Sequence, residues 1–170
     1  MTIQQYKQSL ILSLKQRTLC LLIKNGKILL AKKKRGFGEG KWLAGAGGKV
    51  EELETLENAV IRETIEEINV TPNNFVRIAT LNFYFPYADK PEKWNQQVCV
   101  FVSNDWSGEI KESDEILPQW FNFSEIPFDL MWSDAYYWLP DVIKGNVLDA
   151  DFLFKSNLEV EEYKIKNNFK

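Results

Sequence analysis

Six glycines between Arg35 and Gly48, at positions 36, 38, 40, 45, 47 and 48, lead straight into a segment that reads as a helix with an acidic stripe. Glycine tolerates backbone angles that other residues avoid, so this run predicts a long, shaped loop in place of a regular element. Thr55 can cap the helix that follows, which runs to about Ile68, with Glu57 in its first turn where the helix dipole favours negative charge. Glu63, Glu66 and Glu67 then fall at i, i+3 and i+4 and share one face. Each like-charge pair costs an isolated helix roughly 0.2 to 0.5 kcal/mol, and Arg62 is the only cation nearby. On the same helix Leu56, Ala59 and Val60 call for burial, and Ile61, Ile65 and Ile68 read as a second apolar face. Unpaired charge fits poorly on a helix wanted inside on two faces. A solvated acidic face is the plain alternative, but a hard divalent cation, Mg²⁺ or Mn²⁺, removes the conflict because clustered carboxylates are what such ions coordinate.

Gly48, Glu54 and the run Arg62-Glu63-Thr64-Ile65-Glu66-Glu67-Ile68-Asn69-Val70 together resemble the Nudix box, with every charged position in register. Asn69 stands where the family has glycine, and Asn is the next best residue for a left-handed helix end. The resemblance implies that Glu63, Glu66, Glu67 and the carbonyl of Gly47 bind metal, Mg²⁺ or Mn²⁺, and that the three glutamates are the catalytic cluster. It further implies that Gly48, Glu54 and Arg62 hold the loop and helix together. The likeness extends from about Thr18 to about Ile165 and is strongest to the 8-oxo-dGTP diphosphatases of the MutT type. Glu112-Ser113-Asp114-Glu115 belongs to it, which makes Glu115 a fourth metal-site carboxylate.

The same resemblance assigns the substrate pocket. Phe37, Phe83 and Trp132 correspond to walls of the base pocket, Trp132 by stacking, and Thr18, Lys33 and Asp134 match ligand-pocket positions. Aromatics make up 14% of the chain, so most of them are core, and Phe83 on a strand has that reading as its rival. Two departures stand out. A pair of aspartates in the family is Asp134-Ala135 here, and Leu43-Ala44-Gly45 follows Trp42 where the family often has an asparagine and a glycine, with one residue fewer. An ionised Asp134 only accepts hydrogen bonds, which suits the N1-H and 2-amino group of a guanine-type base. Without a neighbouring second carboxylate to raise its pKa, it is expected to pair poorly with adenine-type bases.

Composition limits the rest. A length of 170 residues fits one domain, read as a single Nudix domain over 1–170 with residues 1–16 as an N-terminal extension of no assigned role. The net charge of −3 and the lack of a basic run argue against a polymeric nucleic-acid partner, and no apolar stretch is long enough for a membrane span. Two isolated cysteines, Cys20 and Cys99, suit a reducing, cytoplasmic compartment. With no histidine in the chain, acid-base work falls to carboxylates.

Strand-like runs are expected at Thr18 to Ile23, Lys27 to Lys33, Phe75 to Phe85, Gln96 to Ser103, Gln119 to Phe123, Leu148 to Phe154 and Leu158 to Ile165. Asn25-Gly26 forms a tight hairpin between the first two, Pro86 to Asn95 is a polar loop, and Ser133 caps a second helix reaching Lys144. The fold class is therefore α+β, with a Nudix-type mixed sheet packed between helices. The expected enzyme is a monomeric nucleoside triphosphate diphosphatase that cleaves small-molecule oxidised purine nucleotides to monophosphate and pyrophosphate, a nucleotide-pool sanitation activity. Another Nudix substrate, such as an unmodified nucleotide, a dinucleoside polyphosphate or a nucleotide sugar, is the alternative, and a non-catalytic nucleotide-binding module is a third reading.

Overall fold

In the computed structural model, which describes residues 1–168, a mixed sheet forms the centre of the molecule. Helix α1 (Ile3–Ser9) opens the chain, capped by Thr2, whose side chain accepts from the Gln5 amide while the Gln5 side chain accepts in return. Strands β1 (Lys15–Lys24) and β2 (Lys27–Lys33) form the expected hairpin, and Asn25 and Gly26 both take positive φ, 54° and 74°. The glycine run is less loop-like than its composition implies, because β3 (Trp42–Leu43) pairs with β2 and β4 (Ala46–Lys49) pairs antiparallel with β1. A Cβ at Gly45 or Gly47 would run into the β1 backbone at Cys20 or Thr18, so these glycines permit the close pairing of β4 with β1.

Helix α2 (Leu56–Ile68) follows, with Thr55 accepting from the Asn58 amide at 3.1 Å and Asn69 ending it in the left-handed conformation, φ 67°. It buries one face, not two. Ala59, Val60, Thr64 and Ile68 are buried, whereas Ile65 is exposed. Beyond it come β5 (Thr71–Asn73) and β6 (Val76–Tyr84), the one-turn helix α3 (Pro91–Trp94), β7 (Gln96–Ser103), β8 (Asp105–Ser107) and β9 (Ile116–Asn122). Two single 3-10 turns lead into α4 (Ala135–Ile143), then β10 (Leu148–Phe154) and β11 (Val160–Asn167) close the chain. The sequence reading missed the short β5–β8 pair and the turn of helix inside the polar loop. It also misplaced the cap of α4, where Asp134 holds the N-cap position and the Ser133 hydroxyl instead accepts from the Val160 amide at 3.0 Å.

The main sheet runs β11-β10-β6-β7-β1-β2-β3, with β4 joined to β1 and β9 to β2. The pairs β1·β7 and β6·β10 are parallel and the others antiparallel. Strand alternation sends Leu21, Leu81, Val100 and Phe152 to the face covered by α4, where Trp138 and Leu139 pack among them. Cys20, Leu22, Cys99 and Phe101 go to the opposite face, under Val60 and Ile68 of α2. Burying each of these large apolar side chains contributes about 1.5 to 3 kcal/mol before entropy is counted. Both cysteines are buried and unpaired. No helix among the described residues is long and apolar enough to cross a membrane.

Within residues 1–16, the short helix α1 packs against the sheet. Ile3 and Tyr6 of α1 pack with Tyr84 and Leu153. The buried Asn95 amide donates to the Tyr6 hydroxyl at 3.0 Å and its carbonyl oxygen accepts from the Phe85 amide at 2.8 Å, so α1 braces the loop between β6 and β7. Tyr6→Phe would leave an Asn95 N–H buried without a partner, a cost of about 1 to 3 kcal/mol. Urea unfolding of the variant should show a lower midpoint at unchanged slope; an unshifted midpoint would mean that the brace contributes nothing.

Candidate active site

The site forms where β4 passes along α2. Leu56, Val60, Glu63 and Glu67 recur at helical spacing, so Glu63 and Glu67 leave the helix on the stripe that faces β4 and the sheet. Glu66 lies outside that stripe and is exposed. A Cβ at Gly48 would collide with the Glu63 carboxyl group, which gives the second glycine of the pair a steric reason. The Gly47 amide donates to Glu67 Oε2 at 3.1 Å.

Arg62 organises the carboxylates. Its Nε and Nη2 grip Glu54 at 2.8 and 2.9 Å, its Nη1 donates to Glu63 at 2.9 Å and to Glu66 at 3.3 Å, and its Nη2 also donates to the Lys49 carbonyl at 3.0 Å. Fork-to-fork pairing of this kind ties the loop after β4 to the helix in a fixed register. The Arg62 bonds, with the Glu51 amide, hold the Glu54 carboxyl down at about 2. Glu63 and Glu67 go the other way. Burial raises both, Glu67 to about 7, and for Glu67 the Gly47 amide opposes the rise while the charges of Glu63 and Glu115 add to it. Glu115, on the loop before β9, takes a long bond of 3.4 Å from Arg35. Lys33 is near enough to Glu67 to offset part of its shift.

Among the described residues, no three acidic or thiol side chains converge as a ready metal cage. Glu63 and Glu66 turn to Arg62 and Glu67 to Gly47. The donor chemistry nonetheless fits a hard divalent cation. Glu63, Glu66, Glu67 and Glu115 bring oxygen donors only, and two of them are carboxylates whose burial disfavours charge unless a cation is supplied.

On the other side of Gly47 and Gly48 opens a cavity of about 460 Å³. Thr18, Lys33, Phe37, Phe83, Trp132 and Asp134 all line it, and so do the two glycines. Phe83 is both pocket and core, stacking on Phe152 at 5.6 Å between centroids. Trp132 lies under Phe37 at 5.3 Å, with the Lys41 ammonium 5.1 Å from its ring, and rests on Gly38, whose φ of 81° keeps the loop tight against it. Thr18 is 2% exposed, and its hydroxyl has no hydrogen-bond partner among the described residues. Alternation along β1 puts that side chain on the face of Cys20 and Leu22, and Leu19 on the opposite one.

Asp134 changes one expectation. It is 7% exposed, its Oδ2 accepts from Trp138 Nε1 at 2.8 Å, and burial alone pushes its carboxyl up to about 6 without a second aspartate at position 135. Ala135 therefore does not keep the pKa of Asp134 low. Sequence reasoning also passed over Phe85, Trp94, Gln96 and Arg17, all of which line the cavity. For Trp94 a signal existed, since a tryptophan in an otherwise polar loop needs a surface to cover. It meets Phe37 edge-on at 4.4 Å and Phe85 at 5.6 Å.

Comparison with known proteins bears on the family and the fold. The model of the NUDIX domain matches residues 14–142. The chain is 38% identical to an oxidized purine nucleoside triphosphate hydrolase of Danio rerio, over 87% of this chain and 92% of that one. It is 34% identical to the Mus musculus protein of the same name, over 88% and 92%. The crystal structure of a mutator MutT protein from Bacillus halodurans superposes with a TM-score of 0.77 at 23% identity, covering 90% of this chain and 98% of that one, which is a likeness of fold.

Glu67→Gln tests the electrostatics of the cluster. The Glu67 carboxyl is protonated more readily folded than unfolded, so its contribution to stability is fully present below about pH 4.5 and is lost as the pH rises through about 7. In chelator, the variant should melt above the parent protein at pH 8, and the gap should close toward pH 4.5. A variant that melts lower at pH 8 would show that Glu67 is not held against a desolvation penalty.

Proposed function

The chain belongs to the Nudix family, and on that premise we propose that it hydrolyses oxidised purine nucleoside triphosphates, 8-oxo-dGTP foremost, to the monophosphate and pyrophosphate. One observation carries the reading: a single cavity continues from Trp132 and Asp134 to Gly47 and Gly48, directly across from the glutamates of α2. A base seated against Trp132 would place its phosphates toward the glutamates. The two named relatives, each matched over most of its length, support the substrate class.

Nudix hydrolases use divalent cations, and here we propose Mg²⁺, with Mn²⁺ as a substitute, held by Glu63, Glu66, Glu67, Glu115 and the Gly47 carbonyl. When bound, the ion neutralises phosphate charge and acidifies water. The protein's part is to orient and to move a proton. Between Glu66 and Glu67, the carboxylates proposed to take the proton, Glu67 is the better placed, since it is half-buried and held by the Gly47 amide while Glu66 is exposed on Arg62. Lys33, which lines the cavity and is close to Glu67, suits a phosphate oxygen. Gly48, Glu54 and Arg62 keep the helix and glycine strand in register. Phe37, Phe83 and Trp132 wall the base, Thr18 borders the same cavity, and Asp134 reads the base edge. The buried, unpaired thiols suit a reducing cytoplasm, and the chain is proposed to act as a monomer on free nucleotides, cleansing the precursor pool of DNA synthesis.

Steady-state kinetics with Mg²⁺ on 8-oxo-dGTP, dGTP, a dinucleoside polyphosphate and a nucleotide sugar test the reading. The expected result is the highest kcat/KM for 8-oxo-dGTP, loss of turnover in excess chelator, and near-complete loss of kcat in Glu67→Gln. Equal or better turnover of dGTP would overturn the substrate reading; the dinucleoside polyphosphate or nucleotide sugar would then take its place if turned over fastest. Leu43 and Ala44 in the cavity wall are the observation that favours such a rival.

Asp134 generates a further expectation. Above about pH 6 it is ionised and accepts only, matching the N1-H and 2-amino group of a guanine-type base; below, its proton can be donated to N1 of an adenine-type base. The ratio of kcat/KM for 8-oxo-dGTP over 8-oxo-dATP should therefore fall as the pH drops from 7.5 to 5.5, and Asp134→Ala should flatten the profile. A ratio independent of pH in the parent enzyme would remove Asp134 from base reading.

A further inference from the structure

Gln96 is the first residue of β7 and stands directly opposite Phe83 of β6. Side chains opposite one another in an antiparallel pair share a face, and Phe83, Gln96 and Val98 all line the cavity. The Gln97 amide faces the other way, bonded to Asn82 and Gln16. No protein group hydrogen-bonds the Gln96 side chain among the described residues, although it is half-buried and its neighbours at Asn82, Asn95 and Gln97 are all paired. The position is well held. Asn95, one residue before, is fixed by the Phe85 amide and the Tyr6 hydroxyl, and Trp94 packs on Phe37 and Phe85.

Gln96 also brings something that the rest of the cavity lacks. Asp134, when ionised, only accepts; the lysines only donate; the aromatic walls have no directional preference along a base edge. A glutamine amide presents an acceptor and a donor side by side. Guanine shows two adjacent acceptors on its imidazole side, O6 and N7. Oxidation at C8 converts N7 to N7–H, a donor lying between the acceptors O6 and O8. The amide then finds a two-point match, with C=O accepting from N7–H and NH₂ donating to O6 or O8. Against unoxidised guanine the carbonyl oxygen would face the N7 lone pair and one contact would be lost.

We propose that Gln96 is the residue that distinguishes oxidised from unoxidised guanine, reading the N7–H edge while Asp134 reads the N1-H and 2-amino edge. The inference rests on the substrate reading above. The two readers come from separate elements, β7 and the start of α4, so each edge of the purine is held by a different part of the fold.

The test compares two substrates that differ only at that edge, 8-oxo-dGTP and dGTP, in the parent protein, Gln96→Leu and Gln96→Glu, with melting curves to show that each variant is folded. Gln96→Leu, close in volume but without hydrogen-bonding atoms, should lower the 8-oxo-dGTP over dGTP ratio of kcat/KM about ten-fold or more, through 8-oxo-dGTP alone. Gln96→Glu keeps an acceptor for N7–H and loses the donor, so its ratio should fall between the two, and it alone decides the matter should the leucine variant not fold. Calorimetric Kd values for 8-oxo-dGMP and dGMP in chelator should reproduce the order without turnover. A parental ratio near one would sink the substrate reading and this inference with it. A parental ratio left unchanged by either variant, or equal losses on both substrates, would overturn the role of Gln96 alone.

Discussion

The guanidinium of Arg62 is the contact on which the rest of the site depends. It bonds at once to Glu54 after β4, to the Lys49 carbonyl at the end of β4, and to Glu63 and Glu66 on its own helix. An acidic helix face beside a glycine-rich strand would otherwise repel itself and drift. With Arg62 in place, the Glu54 carboxyl is held at about 2, and burial leaves Glu67 near 7. Neighbouring acids of the same kind thus shift in opposite directions because one sits on a cation and the other in a partly dry cleft beside like charges.

Strand β1 connects this arrangement to the cavity. Its first half is paired on one side with β4, which carries the glycines, and on the other with β7, which carries Gln96. Successive residues of the strand face opposite ways, so Thr18 and Leu19 belong to different faces of the sheet though both touch the cavity. The close approach of β4 to β1, possible only because residues 45 and 47 lack a Cβ, sets how far the glutamates stand from the pocket.

Much of this was legible in the residues. The spacing of Glu63, Glu66 and Glu67, the Thr55 cap and the left-handed Asn69 all rest on local rules, and local rules are what a sequence displays. Failures came where tertiary contact overrides local preference. Glycines 45, 47 and 48 read as loop because nothing in the sequence shows that a neighbouring backbone needs the room. Ile65 read as core because apolar residues at helical spacing do not reveal which side a helix presents. Asp134 read as an ordinary carboxylate because burial cannot be seen without Trp138 packed over it. The pocket walls at Trp94 and Gln96 depend on how α3 folds back, a matter settled by Asn95 and Tyr6, 89 positions apart in the chain.

The burial of both thiols has a use in the laboratory. Cys20 lies against Thr64 with its thiol pushed up to about 12, and Cys99 is raised as well, so neither offers a thiolate to an alkylating reagent at neutral pH. Any cysteine introduced at the surface would be the one reactive sulfur in the native molecule. Placed at Tyr87, exposed on the loop that leads to α3, it would carry a fluorophore or spin label without first stripping the natural cysteines from the sheet.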